Sequence, residues 1–204
     1  MANDLIGSPA DAIAPLQKYV DANKGSEMPA LNKSLISAAY YLGDSYLQLK
    51  QPDKAVVPLE QTLGWDSTDS DALYKLGLAY TALKEYDKAE EVFQNAITFV
   101  PDFTEVYQAM AVAYQANQQP ALVDYANGMV AFSKKDYKTA LSLLLKAVEV
   151  RQDYAPVYDG LGLTYEALND LPNAKSSYEM AIKLSPNDLT ATSNLQRVQA
   201  LLNK

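Results

Sequence analysis

Residues 70–101 read SDALYKLGLAYTALKEYDKAEEVFQNAITFVP, and this stretch decides the fold. Leu73, Leu76, Gly77, Tyr80 and Leu83 recur at three- and four-residue spacing, which is one face of an α-helix. Lys84-Glu85-Tyr86-Asp87 turns the chain, and Ala89, Val92, Phe93, Ala96, Ile97 and Val100 line a second helix that Pro101 closes. The same order of side chains returns elsewhere. Leu76-Gly77-x-x-Tyr80 is repeated as Leu42-Gly43-x-x-Tyr46 and Leu161-Gly162-x-x-Tyr165, with a degenerate copy at Asn127-Gly128-x-x-Ala131. Twelve residues after each glycine stands an alanine (Ala55, Ala89, Ala140, Ala174), and four residues further a large side chain (Leu59, Phe93, Leu144, Tyr178). A 34-residue period with small residues at fixed places specifies a stack of helix pairs.

The small residues have a mechanical reason. Helices pack with axes about 8–10 Å apart, and the closest crossings need side chains with little bulk. Gly43 and Ala55 let the two helices of a unit touch, and the leucine or aromatic after each alanine plugs the gap that remains. One unit cannot bury its apolar face alone, so stacking supplies the stability.

This reading sets the organisation. Two complete units span 36–69 and 70–103, with Ser70 and Thr104 as expected N-caps. The register then breaks, because Gly77 and Gly128 are 51 residues apart, one period and a half. An additional half-unit helix is expected over 104–120, carrying Val106, Met110, Val112 and Tyr114. It closes the first two units as a cap would, and a second two-unit block restarts near Pro120 with units at 121–154 and 155–188. The amphipathic stretch 189–204 caps the last open face. At the other end, residues 1–35 hold a helix and a linker. Ala12-x-x-Pro15-Leu16-x-x-x-Val20 matches Ala55-x-x-Pro58-Leu59-x-x-x-Leu63. Residues 9–22 are therefore the second helix of a unit without its first: either a plain N-terminal cap, or the sign of a chain cut from a longer protein. Asn23 to Pro29 is the most linker-like stretch.

Composition narrows the function. The net charge is −8 and only two arginines occur, Arg151 and Arg197, which disfavours a nucleic-acid partner. There is no cysteine and no histidine, so disulfides, thiolate nucleophiles, imidazole bases and the usual zinc ligands are absent. Asp66-Ser67-Thr68-Asp69-Ser70-Asp71 lacks the glycine and distal glutamate of a calcium loop and reads as helix capping. The glycines sit singly inside helices and cradle no phosphate. No cofactor, metal or enzymatic activity is expected. Trp65 falls where Phe99, Val150 and Leu184 fall in the other units and is expected in the core. No apolar run is long enough to cross a membrane, and Met1 to Pro15 shows no signal peptide. The compartment stays open between a cytoplasmic protein and an extracytoplasmic part whose signal or anchor lies outside this chain.

These residues resemble the tetratricopeptide repeat family, whose pattern places Leu-Gly-x-x-Tyr in a first helix, then Ala, Phe or Tyr, Ala and a closing Pro. Leu76, Gly77, Tyr80, Ala89, Phe93, Ala96 and Pro101 match it fully, and Leu161, Gly162, Tyr165, Ala174, Tyr178, Ala181 and Pro186 nearly as well. The first unit departs at Thr62 and Ser67, the third at Asn127, Ala131 and Gln152. The resemblance implies an all-α, right-handed α-solenoid whose first helices line a concave groove for a peptide or a helix of a partner protein. Carried onto this chain, the groove-lining residues are Tyr40, Asp44, Tyr74, Leu78, Tyr125, Met129, Phe132, Asp159, Leu163 and Glu166. Members that clamp a C-terminal carboxylate use Lys, Asn and Arg there. Tyr40, Asp44 and Glu105 hold the corresponding places here, and an acidic, aromatic groove repels that carboxylate. Two functional classes follow: an adaptor binding a protein or peptide through a tyrosine-lined groove, or a self-assembling scaffold in which the first helix and the irregular third unit mate with another copy. A further alternative is the soluble part of a larger membrane-anchored assembly protein.

Overall fold

The computed structural model describes residues 8–25 and 32–203, which form eleven α-helices and no strand among the described residues. They are α1 Pro9–Asn23, α2 Lys33–Gln48, α3 Pro52–Trp65, α4 Ser70–Ala82, α5 Tyr86–Phe99, α6 Thr104–Ala116, α7 Pro120–Ser133, α8 Tyr137–Val150, α9 Ala155–Ala167, α10 Leu171–Leu184 and α11 Leu189–Leu202. The expected linker 23–29 falls partly outside the described residues.

Helix ends follow local chemistry. Asn32, Asp69, Asp136, Asp170 and Asp188 each accept a backbone N–H of the first turn with the side chain. The cap of α4 is thus Asp69; Ser70, expected in that role, is the first helical residue, as Thr104 is in α6. Proline occupies the first or second position of α1, α3, α7, α9 and α10, where its missing N–H costs nothing. Asp66 accepts both the N–H and the hydroxyl of Thr68, so the acidic run 66–71 is a turn followed by a cap.

The turn inside each unit is built the same way. Lys50, Lys84, Lys135 and Asn169 adopt the left-handed conformation, with φ of 56–63°. The next residue then donates back to the carbonyl five positions earlier, as Gln51 N–H does to Tyr46 and Glu85 N–H does to Tyr80. Gln118 has the same conformation, and Gln119 N–H donates to Tyr114. Gln118 lies one period after Lys84 and half a period before Lys135. Helix α7 is therefore entered and left through the tight turn that elsewhere occurs once per unit.

Each glycine crossing is closed by the side chain sixteen residues later. A Cβ built on Gly43 would lie 2.5 Å from Leu59 Cγ, on Gly77 it would fall on the Phe93 ring, and on Gly162 on the Tyr178 ring. At Gly128 it would lie 3.0 Å from Leu144 Cγ, a looser fit. The alanines and plugs (Ala55, Leu59, Ala89, Phe93, Ala140, Leu144, Ala174, Tyr178) are fully buried.

The chain divides into two compact units between Val106 and Tyr107, within α6. In the first, α1 packs on α2, α2 on α3, α3 on α4 and α4 on α5. Trp65 joins Val20, Leu35, Ala39 and Leu42 in its core. In the second, α7 packs on α8, α8 on α9, α9 on α10 and α10 on α11. Most of α6 belongs here. The Tyr107 ring meets Tyr125 edge-on at 6.4 Å, and the Tyr114 and Tyr154 hydroxyls lie 3.1 Å apart. This differs from the expectation that the helix closes the first block. Tyr107 and Tyr114, two turns apart on one face of α6, carry it onto the second unit.

Candidate partner-binding surface

In the first unit, Tyr40 and Asp44 on α2 and Tyr74 and Leu78 on α4 are each half-buried, on neighbouring first helices that touch one another. Asp44 is held by Lys75 Nζ at 2.6 Å and accepts from the Gln48 amide at 2.6 Å. The Tyr74 ring rests on Phe103 at 5.5 Å and Tyr40 packs edge-on against Tyr41 at 5.3 Å. Partial burial pushes the Tyr40 hydroxyl up to about 12, and Asp71, Asp44 and Asp69 add to it. At neutral pH Tyr40 is thus a neutral donor in an acidic setting. Lys75 was not foreseen from sequence; its position beside Leu76 gives no hint of an ion pair reaching back to Asp44 on the preceding first helix.

The six residues expected from the second unit are placed differently. Tyr125 and Met129 are only 2% and 3% exposed and belong to the core. Tyr125 is enclosed edge-on by Tyr107 and Tyr154, and Met129 faces Gly160, where an added Cβ would meet its sulfur at 2.8 Å. The reason is that α6 and α9 both bear on α7. Phe132 is half-buried against Tyr137, their rings 5.5 Å apart.

Asp159, Leu163 and Glu166 share a face of α9, and that face meets α11. Leu163 packs into the cluster of Ala174, Tyr178 and Val198. Glu166 accepts from Arg197 Nε at 2.8 Å and Nη2 at 2.7 Å, and from the Tyr178 hydroxyl at 3.1 Å. The Arg197 guanidinium holds the Glu166 carboxyl below its usual range against partial burial. Asp159 goes the other way. Its Oδ1 is shut off from solvent without a hydrogen bond. Burial pushes its carboxyl up to about 6, helped by Asp188 and opposed by an Asn194 hydrogen bond and Arg197. The terminal helix was legible in sequence. That it would occupy the fourth unit's own first-helix face was not, because Arg197 and Asn194 carry no repeat signal.

Among the described residues no helix is long and apolar enough to cross a membrane, and no group of three or more acidic residues is placed to hold a metal ion.

Helix pairs crossing on glycine at a fixed period define an α-helical repeat protein. Tetratricopeptide repeat patterns match residues 37–63, 70–103 and 155–188. The chain belongs to the tetratricopeptide repeat family. Curated relatives include the heat shock protein STI1 of Saccharomyces cerevisiae, 27% identical over 51% of this chain and 18% of that protein. Another is the chloroplastic tetratricopeptide repeat domain-containing protein PYG7 of Arabidopsis thaliana, 36% identical over 33% of this chain and 24% of that one. The chain spans less than a quarter of the length of these relatives. Among solved structures, the crystal structure of MamA is 20% identical, with a TM-score of 0.44 over 87% of this chain and 89% of that chain. The first such repeat domain of Spaghetti (RPAP3), bound to an HSP90 peptide, is 24% identical, with a TM-score of 0.34 over 68% of this chain and 97% of that one.

Proposed function

We propose that the first unit binds a peptide or protein segment of neutral or basic character across the face shared by α2 and α4. The observation that carries this is Tyr40 and Tyr74, equivalent positions of successive repeats, both half-buried, with Asp71, Asp44 and Asp69 close enough to Tyr40 to raise its hydroxyl. Tyrosine offers a flat apolar body with a polar tip, so it contributes contact area and direction together. The aspartates favour a cationic or hydrogen-bond-donating group and disfavour a C-terminal carboxylate. The third-unit counterpart, Tyr125, is buried and takes no part.

The partner is found by affinity capture from the source organism, with the Tyr40→Ala/Tyr74→Ala double variant as control. With that partner, calorimetry should show Tyr74→Ala weakening binding by more than about 1 kcal/mol, the behaviour of an anchor. An interface that maps instead to the α3 and α5 side, with Tyr74→Ala neutral, would overturn the proposal.

A further inference from the structure

Helix α11 is held to the second unit by few side chains. Those it buries are Ala191, Asn194 and Val198, and one of the three is a polar amide. Leu189, Leu201 and Leu202 are exposed. The helix packs on α10 and extends side chains toward α9: Leu195 and Val198 join Leu163, Ala174 and Tyr178, and Arg197 spans to Glu166. The Arg197 side chain is half exposed, and an ion pair so open to water adds only modestly to the hold.

Under this cover lies a group that resists it. Asp159 Oδ1 is sealed from solvent without a hydrogen bond, and a carboxylate taken out of water without full pairing is costly. The groups that act on it come chiefly from α11 itself. Asp188, at the start of that helix, repels its charge, while Asn194 and Arg197 favour it. From α10 comes Tyr178, whose hydroxyl is pushed up by burial, then by Glu166 and Asp159, and stays a neutral donor to Glu166. Glu166, on the same helix as Asp159, is occupied by Arg197. On α8 the charged residues Lys138, Lys146 and Glu149 are exposed, and α7 carries only Asp124, which is half-buried. No cation other than Arg197 therefore offsets the burial.

We propose that α11 is a strap that closes over the α9 face and opens from it while the rest of the second unit stays folded, with the charge on Asp159 setting the balance. With the carboxyl neutral, closure buries no charge. With it ionised, closure takes a charge out of water beside Asp188, and the strap loosens. Opening uncovers Asp159, Leu163 and Glu166 together. The sign follows from the two states. With α11 away the group returns toward its ordinary value of 3.8, and under α11 it titrates near 6. Closure is therefore firmest at the acid end of that window and weakens as pH rises through it. Between pH 5 and pH 7 the opening equilibrium should rise about tenfold.

Hydrogen exchange of the whole chain, followed by mass spectrometry from pH 5 to pH 7 and corrected for the intrinsic pH dependence of amide exchange, tests this. Helix α11 should exchange faster than α8 of the same unit at every pH, with an opening that grows about tenfold across the range. Its exchange should be insensitive to low urea, because releasing one helix exposes little surface, whereas that of α8 should respond. Asp159→Asn should hold α11 closed throughout and remove the pH dependence. Asp188→Asn keeps a capping side chain and removes the like charge, so it should reduce that dependence. Circular dichroism confirms that both variants fold. Protection of α11 that is flat with pH, α11 and α8 sharing one rate and one urea response, or a wild-type pH dependence in Asp159→Asn would each overturn the proposal.

Discussion

Gly77→Ala is expected to destabilise the first unit by roughly 1–3 kcal/mol, whereas Gly128→Ala leaves the second nearly unchanged. In an open helix the substitution is favourable by up to about 1 kcal/mol, since alanine loses less backbone freedom than glycine. At Gly77 the new methyl lands on the Phe93 ring, which is fully buried between α4 and α5 and has no free space to turn into. Either the ring leaves its rotamer or the helices part. At Gly128 the nearest atoms are Leu144 Cγ at 3.0 Å and Cδ2 at 3.2 Å, a branched aliphatic side chain that shifts by tenths of an ångström. Crowding and helix propensity then roughly cancel. Urea unfolding of the two variants measures the difference, and equal losses would contradict the assigned crossings. Phe93→Leu in the Gly77→Ala background should recover part of the loss, because it replaces a rigid ring by the plug found at Gly43 and Gly128.

Those crossings were legible in the sequence because they rest on local, repeated chemistry: a glycine, an alanine twelve residues on, a plug four residues further. The helix starts were legible to within one residue: Ser70 and Thr104, expected as caps, are the first helical residues of α4 and α6, and Asp69 caps α4. What sequence alone concealed was the register of α6; the helix itself was expected over 104–120 and spans Thr104–Ala116. Ala111 in place of glycine and Asn127 in place of an aromatic hide its first-helix register, and only the left-handed turn at Gln118 exposes it. The fate of the groove residues was concealed by the same helix. Tyr125 looks equivalent to Tyr74 in the repeat, but Tyr107 and Tyr154 enclose it from positions eighteen and twenty-nine residues away. Periodicity reports which face of a helix a residue occupies. It does not report which helix lies over that face, and in the fourth unit α11 lies over it.

That covering buries the Asp159 carboxyl and raises it. Asp159→Asn is expected to stabilise the second unit at pH 7 by as much as about 3 kcal/mol, the equivalent of a displacement of roughly two pH units. The sign follows from where the proton resides. In the unfolded chain the group titrates near 3.8, and in the folded chain near 6. Between those values the folded state holds a proton that the unfolded state has lost. Stability therefore falls as pH rises through this window, and the full penalty is present above 6. Asparagine is neutral throughout and should remove both the penalty and the slope, so that variant and wild type converge as the pH approaches 4. Glu166 runs opposite: its carboxyl is lowered by Arg197 from 4.5, so its contribution is complete above that value and lost only as pH falls through the lowered one. Unfolding measured from pH 4.5 to 7 thus isolates Asp159. A wild-type stability that is flat or rises with pH across this range, or an asparagine variant with an unchanged slope, would show that the Asp159 carboxyl is solvated in solution and that α11 does not close over it.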